Sequence, residues 1–162
     1  MSPRDLSQID LQSILIQEGD LPEGYSGGAI LDQESWTDLT LPEPAKAASQ
    51  RILRDRAFAG VVNASLYADV RSARNAYSRV LSVFEKDCKE DPCWSSLETL
   101  SDVGERCALR CVCHMELPKD ICDTVFVTDT AFVFIRLVCH KNSGCFISYA
   151  KRLDLRIRDL LT

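Results

Sequence analysis

The sequence predicts an α+β domain in which an antiparallel sheet of about four to five strands is covered on one face by helices. Three observations predict it. Apolar residues repeat at helical spacing in several segments, they alternate with polar residues in one long segment, and short connections join the last strands. The predicted order is α-β-α-β-α-β-β-β-α.

Three helices and two strands are predicted in the first half of the chain. The helices cover residues 8–17, 42–57 and 70–87. Ser7 and Asp69 are suited to cap helix N-termini, and Pro42 and Pro44 are tolerated in a first helical turn. Between the helices lie short extended segments, Tyr25–Leu31 and Phe58–Ala68.

The second half is predicted to be mainly strand. From Cys107 onward, apolar and polar residues alternate, which is typical of a half-buried strand. Two further strands, over residues 121–128 and 131–139, are separated only by Asp129-Thr130, so we expect a hairpin. A last helix covers residues 145–161.

Charge is divided unevenly along the chain. Residues 1–45 hold nine acidic residues and one basic residue, whereas residues 46–162 hold fifteen acidic and eighteen basic residues. The sequence predicts a single domain over residues 1–162, in which the acidic segment 1–45 packs on the body 46–162. A docking surface for a partner protein is the alternative interpretation of the acidic segment.

Composition argues against several classes of function. The net charge of −5 argues against a phosphate-backbone binder, so we expect no nucleic-acid partner. No apolar run reaches the roughly 18 residues of a membrane span. The glycine-rich stretch Gly24–Gly28 lacks the lysine of a phosphate-binding loop. A solvated face is predicted for the basic residues of the last helix, Lys151, Arg152, Arg156 and Arg158.

All eight cysteines lie in the second half, at positions 88, 93, 107, 111, 113, 122, 139 and 145. An even number at this density is typical of an oxidising compartment. We therefore predict an extracytoplasmic location, secreted or at the cell surface. The chain carries no signal peptide, so an export signal or lipid anchor would lie upstream of Met1.

Each of the eight cysteines is a disulfide candidate. Cys88 and Cys93 bracket a short loop with a proline, and Cys139 and Cys145 bracket a polar turn, so either pair can reach bridging distance. The four remaining cysteines, Cys107, Cys111, Cys113 and Cys122, would then form cross-strand bridges. Spacing alone does not decide the connectivity.

A cytosolic metal-binding or thiol-redox protein is the alternative interpretation, with ligands drawn from Cys107, Cys111, Cys113, His114, Cys139 and His140. Zinc needs ligands that converge tetrahedrally, whereas a strand spreads side chains along a line. Cys145 near His140 is a conceivable nucleophile, although a structural disulfide is favoured there. We therefore predict no cofactor, no resident metal and no catalytic residue.

Several short motifs resemble a group of bacterial proteins. They are Gly19-Asp20-Leu21-Pro22-x-Gly24-Tyr25, Ala76-Tyr77 with Val80 and Phe84, Asp102-Val103-Gly104-Glu105, Val125-Phe126-Val127 with Ala131-Phe132-Val133-Phe134, and Tyr149-Ala150-Lys151-x-Leu153-Asp154-x-Arg156-Ile157. Together they cover about residues 15–160. The chain resembles uncharacterised exported or lipid-anchored bacterial domains, and it is loosely similar to extracellular sensor domains of bacterial serine/threonine kinases. The resemblance implies a secreted α+β domain and carries no catalytic residues.

The function predicted from these observations is a non-enzymatic, extracytoplasmic binding or sensor-like module. Its partner would be an unknown small molecule or protein. The ligand would lie in a groove between the sheet and the elements that cover it, which is a usual place for a pocket in a layered domain.

Overall fold

The computed structural model describes residues 5–31, 41–94, 97–113, 120–139 and 144–162. Two 3-10 helices, Leu6–Gln8 and Gln12–Ile14, come first. The strands and α-helices follow in the order β1 (Tyr25–Leu31), β2 (Lys46–Arg54), β3 (Ala57–Leu66), α1 (Val70–Glu90), β4 (Glu98–Leu100), β5 (Arg106–Cys113), β6 (Asp120–Thr128), β7 (Ala131–Cys139) and α2 (Gly144–Leu161). Among these residues no helix has the length and apolarity to cross a bilayer.

The strands form one antiparallel sheet in the order β1-β2-β3-β7-β6-β5-β4. The first three strands make one meander, and the last four make a second. Helix α1 carries the chain from the middle of the sheet to its far edge, and the second meander then returns until β7 pairs with β3. The predicted α+β class is confirmed, but seven strands are present in the described residues where about four to five were predicted.

Both faces of the sheet carry a core, so the prediction of helices on one face is wrong. On one face, α2 and the 3-10 segment cover a cluster that includes Leu15, Phe126, Ile135 and Leu153. On the other face, α1 packs against a second cluster, which includes Phe134. Because strands with apolar side chains on both sides need two covers, the helices are divided between the faces.

The helix predicted over residues 42–57 is wrong, because this segment contains strand β2. Lys46–Arg54 pairs along its whole length with β3 and also pairs with β1. Its consecutive residues Ala48, Ser49 and Gln50 are all buried, so the strand shows no alternation that sequence could reveal. Pairing on both sides outweighs the helix propensity of its alanine and arginine residues.

The helix predicted over residues 8–17 is also wrong. This part of the chain forms two short 3-10 helices, Leu6–Gln8 and Gln12–Ile14, instead of one α-helix. Carboxylates interrupt the regular pattern: the Ser7 N–H donates to Asp5 (3.0 Å) and the Ser13 N–H donates to Asp10 (3.2 Å). Such local bonds compete with α-helical ones. Residues 88–104, predicted as irregular, contain the end of α1 and strand β4.

The remaining elements are confirmed. Asp69 caps α1 and accepts a hydrogen bond from the Ser72 N–H at 2.7 Å. Strands β6 and β7 form the predicted hairpin, with Asp129 at φ +52°, a conformation that aspartate tolerates better than most residues. Strand β5 has the predicted period of two, with Cys107 in one core and Ala108 in the other.

A partly buried charge cluster, formed by Asp87, Arg110, Asp123 and Arg136, joins α1 to the sheet. Arg110, Asp123 and Arg136 are direct neighbours across β5, β6 and β7. The Asp123 side chain is 0 % exposed and accepts from Arg110 Nε (3.1 Å) and from Arg136 Nε (2.7 Å). Arg110 Nη1 also donates to Asp87 on α1 (2.7 Å).

Aromatic rings complete the surroundings of Arg110. Its guanidinium carbon lies 3.8 Å from the ring centroids of both Phe84 and Trp94. Stacking between two rings is suited to a planar guanidinium, which is weakly hydrated and keeps its edge free for carboxylates. Arg110 therefore fixes the end of α1 and the following turn against β5.

We expect Asp123→Asn to lower the free energy of unfolding by about 3 kcal/mol, because the substitution leaves two arginines beside a buried neutral group. Urea unfolding monitored by circular dichroism measures the change. Arg74→Ala is the matched control, since it removes the exposed ion pair with Glu105 and should cost less than about 1 kcal/mol. Equal losses in the two variants would contradict a special role for Asp123.

Candidate functional site

The candidate site begins with the segment that follows the 3-10 helices, which is held down by α2. Tyr149 on α2 donates its hydroxyl to the Leu15 carbonyl, and burial raises the pKa of that hydroxyl. Arg156, also on α2, donates to the Ile14 carbonyl at 3.1 Å. The segment over residues 14–21 therefore lies along the last helix in a defined position.

Asp20 is the main anchor of this segment. It is 5 % exposed and accepts two hydrogen bonds from Arg156, one through Nη1 at 2.6 Å and one through Nη2. It also accepts from the Gln17 N–H at 2.8 Å, which closes the turn around Gly19. A bidentate arginine–carboxylate pair is strong and directional, so it determines where the turn lies.

Lys151, Arg152 and Arg158 on the last helix are exposed, as predicted. Lys151 and Arg158 also pair with Asp102 and Asp154. Arg156 departs from the prediction, since it is partly buried and binds Asp20. The contact between Asp20 and Arg156 is an instance of the charge complementarity expected between the acidic first segment and the rest of the chain.

A cavity of about 360 Å³ separates the anchored segment from the edge of the sheet. This volume lies within the range of small-ligand pockets. One wall is the segment that Asp20 anchors, and the other wall and floor come from β1 and β2. The lining residues are Ile16, Gln17, Glu18, Gly19, Leu21, Tyr25, Ser26, Gly27 and Gln50.

Gln50 is the buried polar group of this cavity, with 7 % of the residue exposed. Its Oε1 accepts from the Ile16 N–H and its Nε2 donates to the Gly28 carbonyl, each at 3.2 Å. A carboxamide offers two N–H donors and two lone pairs, so one donor and one acceptor remain for another molecule. Such a pair can recognise a group that itself carries one donor and one acceptor.

Gly27 and Tyr25 shape the opening. A Cβ at Gly27 would lie 2.5 Å from Gln50 Nε2, so the glycine is what leaves room for the Gln50 carboxamide. The Tyr25 hydroxyl donates to the Val138 carbonyl at 3.1 Å, and its ring lies beneath the Arg54 guanidinium at 5.4 Å. These two contacts hold the Tyr25 side chain in place, and it forms part of the cavity wall.

Two further cavities are less suited to a ligand. One, of about 380 Å³, is lined by Glu105 and Arg158, whose charged groups are already paired with Arg74 and Asp154. The other, of about 440 Å³, includes Lys46, whose ammonium group donates to the Ile9 carbonyl. In neither does a buried side chain offer the spare donor and acceptor that Gln50 has.

A disulfide joins Cys111 on β5 to Cys122 on β6. The two residues are direct cross-strand partners with Cα atoms 4.2 Å apart, so the bridge staples neighbouring strands. Cys107 lies on the same face, is fully buried and unpaired, and burial raises the pKa of its thiol to about 12. A thiol of that kind stays protonated and inert.

The predicted bridge between Cys88 and Cys93 is not formed, and both thiols are free. The expected loop between them does not exist, because α1 continues through Glu90. Cys93 follows the helix end, where its N–H donates to Asp91 at 2.9 Å. The side chains of Cys113, Cys139 and Cys145 lie outside the described part of the structure, as do His114 and His140.

The alternative metal site gains no support from the described residues. No three side chains of His, Cys, Asp or Glu gather there as a metal site. The sulfurs of Cys111 and Cys122 are bonded to each other. A disulfide sulfur is not a thiolate, which is the form that binds zinc.

Sequence reasoning missed the residues that define the cavity. It placed Gln50 in a helix, and a single glutamine carries no local signal of burial. The glycine-rich stretch that contains Gly27 suggests a phosphate-binding loop by its glycines, but it lacks the required lysine and gives no indication of a cavity. The motif Gly19-Asp20-Leu21-Pro22-x-Gly24-Tyr25 did contain three lining residues and their anchor Asp20, but nothing in the sequence marked them as a cavity.

The fold is similar to the extracellular domain of PknH from Mycobacterium tuberculosis, with a TM-score of 0.70. The match covers 97 % of this chain and 98 % of that chain at 7 % sequence identity. The predicted loose similarity to extracellular sensor domains is thereby confirmed at the level of the fold. No protein-family model and no curated protein matches the chain.

We expect Asp20→Asn to loosen the segment over residues 14–21. Loss of the charge leaves Arg156 beside a neutral amide, and the local free energy of opening should fall by about 2 kcal/mol. Amide hydrogen exchange of this segment should accelerate more than about tenfold, while exchange in β6 and β7 stays slow.

Glu18→Gln is the matched control, since it neutralises an acid of the same turn that makes no described ion pair. Exchange that is equally fast in both variants would mean that Asp20 does not anchor the segment.

Proposed function

We propose that this protein is a non-enzymatic, extracytoplasmic binding or sensor-like module whose ligand lies in the cavity beside Gln50. The observation that carries the proposal is the full-length similarity of fold to a domain described as extracellular. The proposal further takes residues 1–162 as one domain, in which the acidic segment 1–45 packs on the body. The contact of Asp20 with Arg156 supports this arrangement.

The disulfide supports the proposed location. Cross-strand disulfides persist in oxidising compartments and are rare in the reducing cytosol. The Cys111–Cys122 bridge lies beside a buried core rather than at an exposed redox site, as the neighbouring Cys107 is fully buried. This placement favours a structural role for the bridge.

The cavity supports the proposed binding role. It combines apolar lining, Ile16 and Leu21, with a buried carboxamide that has hydrogen-bonding capacity to spare. In small-ligand sites, a few placed polar groups of this kind fix the orientation of the ligand. The cavity lies between the sheet and the segment that covers it.

The location is tested by alkylating thiols in the intact cells that make the protein. We expect Cys111 and Cys122 to react only after reduction and unfolding, whereas exposed Cys93 reacts at once. Cys107 should stay protected until the protein unfolds, because it is buried and the pKa of its thiol is raised to about 12. Alkylation of Cys111 and Cys122 on unfolding without prior reduction would place the chain in a reducing compartment, since Cys122 is buried as deeply as Cys107.

The binding role is tested by thermal unfolding in the presence of single saccharides, amino acids, nucleosides and short peptides at millimolar concentration. A ligand present at about 100 times its Kd stabilises a protein by about 2.7 kcal/mol. We expect at least one compound to stabilise the wild type and Gly28→Ala, but not Gly27→Ala, whose new methyl group points at Gln50. If no compound separates the two variants, the cavity is not a ligand site.

A further inference from the structure

We propose that the ligand of this cavity is a polypeptide segment in extended conformation, which adds to the free edge of β1 as an eighth strand. The inference rests on the proposed function and names the class of its ligand. It is carried by the edge of the sheet, the position of the cavity and the hydrogen-bonding capacity of Gln50.

Among the described residues, strand β1 is an edge of the sheet, since it ends the strand order and is paired with β2. Edge strands of proteins are usually protected by charge, by proline, by a β-bulge or by being very short. The bulge of β1 comes only after Gly27. The opposite edge strand β4 has three residues and begins with Glu98, whereas β1 has seven residues with neither a charge nor a proline.

The cavity lies at the first half of this edge. Tyr25, Ser26 and Gly27 of β1 line it, and the register of β1 shifts only after Gly27. These three residues therefore form a regular stretch before the bulge, next to a space. The Tyr25 N–H already donates to the Pro22 carbonyl at 3.1 Å, so an added strand would pair mainly at Gly27. The missing Cβ of Gly27 lets the Gln50 carboxamide lie directly over this stretch of the edge strand.

Gln50 provides hydrogen bonds of the kind that a peptide needs. Each peptide unit carries one N–H donor and one C=O acceptor. Gln50 retains one donor and one acceptor after its bonds to Ile16 and Gly28, and it is nine-tenths buried. A buried carboxamide with spare capacity is satisfied by the same groups that pair with a strand edge.

The lining also limits the side chains of the bound segment. Glu18 is the one charged residue among the nine that line the cavity, so an acidic side chain would be repelled and a lysine or arginine favoured. Ile16 and Leu21 offer apolar contacts to a neighbouring residue. The expected ligand is therefore an extended segment with apolar residues and at least one basic residue.

The probe is a library of random heptapeptides displayed on phage, selected on the folded full chain. The best enriched peptide is then synthesised with a fluorophore, and its Kd is measured by fluorescence anisotropy. Enriched sequences should contain lysine or arginine and lack acidic residues. Absence of enrichment over a blank surface overturns the inference.

Two glycine substitutions in the same strand form a matched pair. A Cβ at Gly27 lies 2.5 Å from the flexible end of Gln50, whereas a Cβ at Gly28 contacts Leu53 and Arg51 at 3.2 to 3.3 Å on the other face. We expect Gly27→Ala to raise the Kd of the peptide about tenfold or more, and Gly28→Ala to change it less than about twofold. Equal effects in the two variants overturn the inference.

Backbone pairing is tested on the wild-type protein, so this readout is independent of how the variants fold. Each amide of the selected peptide is N-methylated in turn, which removes one N–H at a time. Because successive N–H groups of a strand point to opposite sides, loss of binding should alternate along the peptide. Binding that tolerates methylation at every position overturns the inference.

Failure of this inference is distinguishable from failure of the proposed function. If no peptide binds but a saccharide or another small molecule stabilises the wild type and Gly28→Ala over Gly27→Ala, the binding module stands and the peptide class is wrong. If neither a peptide nor a small molecule binds Gly28→Ala more tightly than Gly27→Ala, both proposals are wrong.

Discussion

The central strands of the sheet are apolar on both faces, so each face must be covered. On β7, for example, Ile135 belongs to one core cluster and Phe134 belongs to the other. Leaving either face open would expose a large apolar surface to water. Helix α1 covers one face, and α2 together with the 3-10 segment covers the other, which divides the chain into three layers.

Two buried carboxylates hold these covers in place. Asp123 is bound by Arg110 and Arg136 on the face that α1 covers, and Asp20 is bound by Arg156 on the other face. Arg156 joins α2 to the 3-10 segment through Asp20, and Arg110, which Asp123 orients, joins β5 to α1 through Asp87. Apolar packing alone would allow these elements to slide. The ion pairs therefore give the layers a defined alignment, at the expense of desolvating the charges.

The candidate site lies where one of these covers ends. The segment that Asp20 anchors crosses the sheet next to β1, and a cavity remains between the two. The space between them contains Gln50, whose carboxamide is only half used by the protein. The binding capacity of this region thus follows from an incomplete cover over an edge strand, and it needs no reactive side chain.

Elements with a strong local pattern could be predicted from the sequence by itself. Helix α1 has a capping aspartate and an apolar stripe, β5 has a period of two, and a short turn joins β6 to β7. Local periodicity depends only on the order of residues along the chain, so it can be recognised without knowledge of the fold. The even number of cysteines favoured disulfides, and among the described residues one joins Cys111 to Cys122 while Cys88, Cys93 and Cys107 are free.

Only the tertiary structure decided the rest. Strand β2 is helical by propensity, and it becomes a strand because β1 and β3 pair with it on both sides. The partner of Cys111 is Cys122 because β5 and β6 place the two residues opposite each other, which depends on strand register. Gln50 likewise lines a cavity because the register of β2 against β1 places it beside Gly27 and Gly28. Pairing, register and burial are contacts between residues distant in sequence, and no local pattern encodes them.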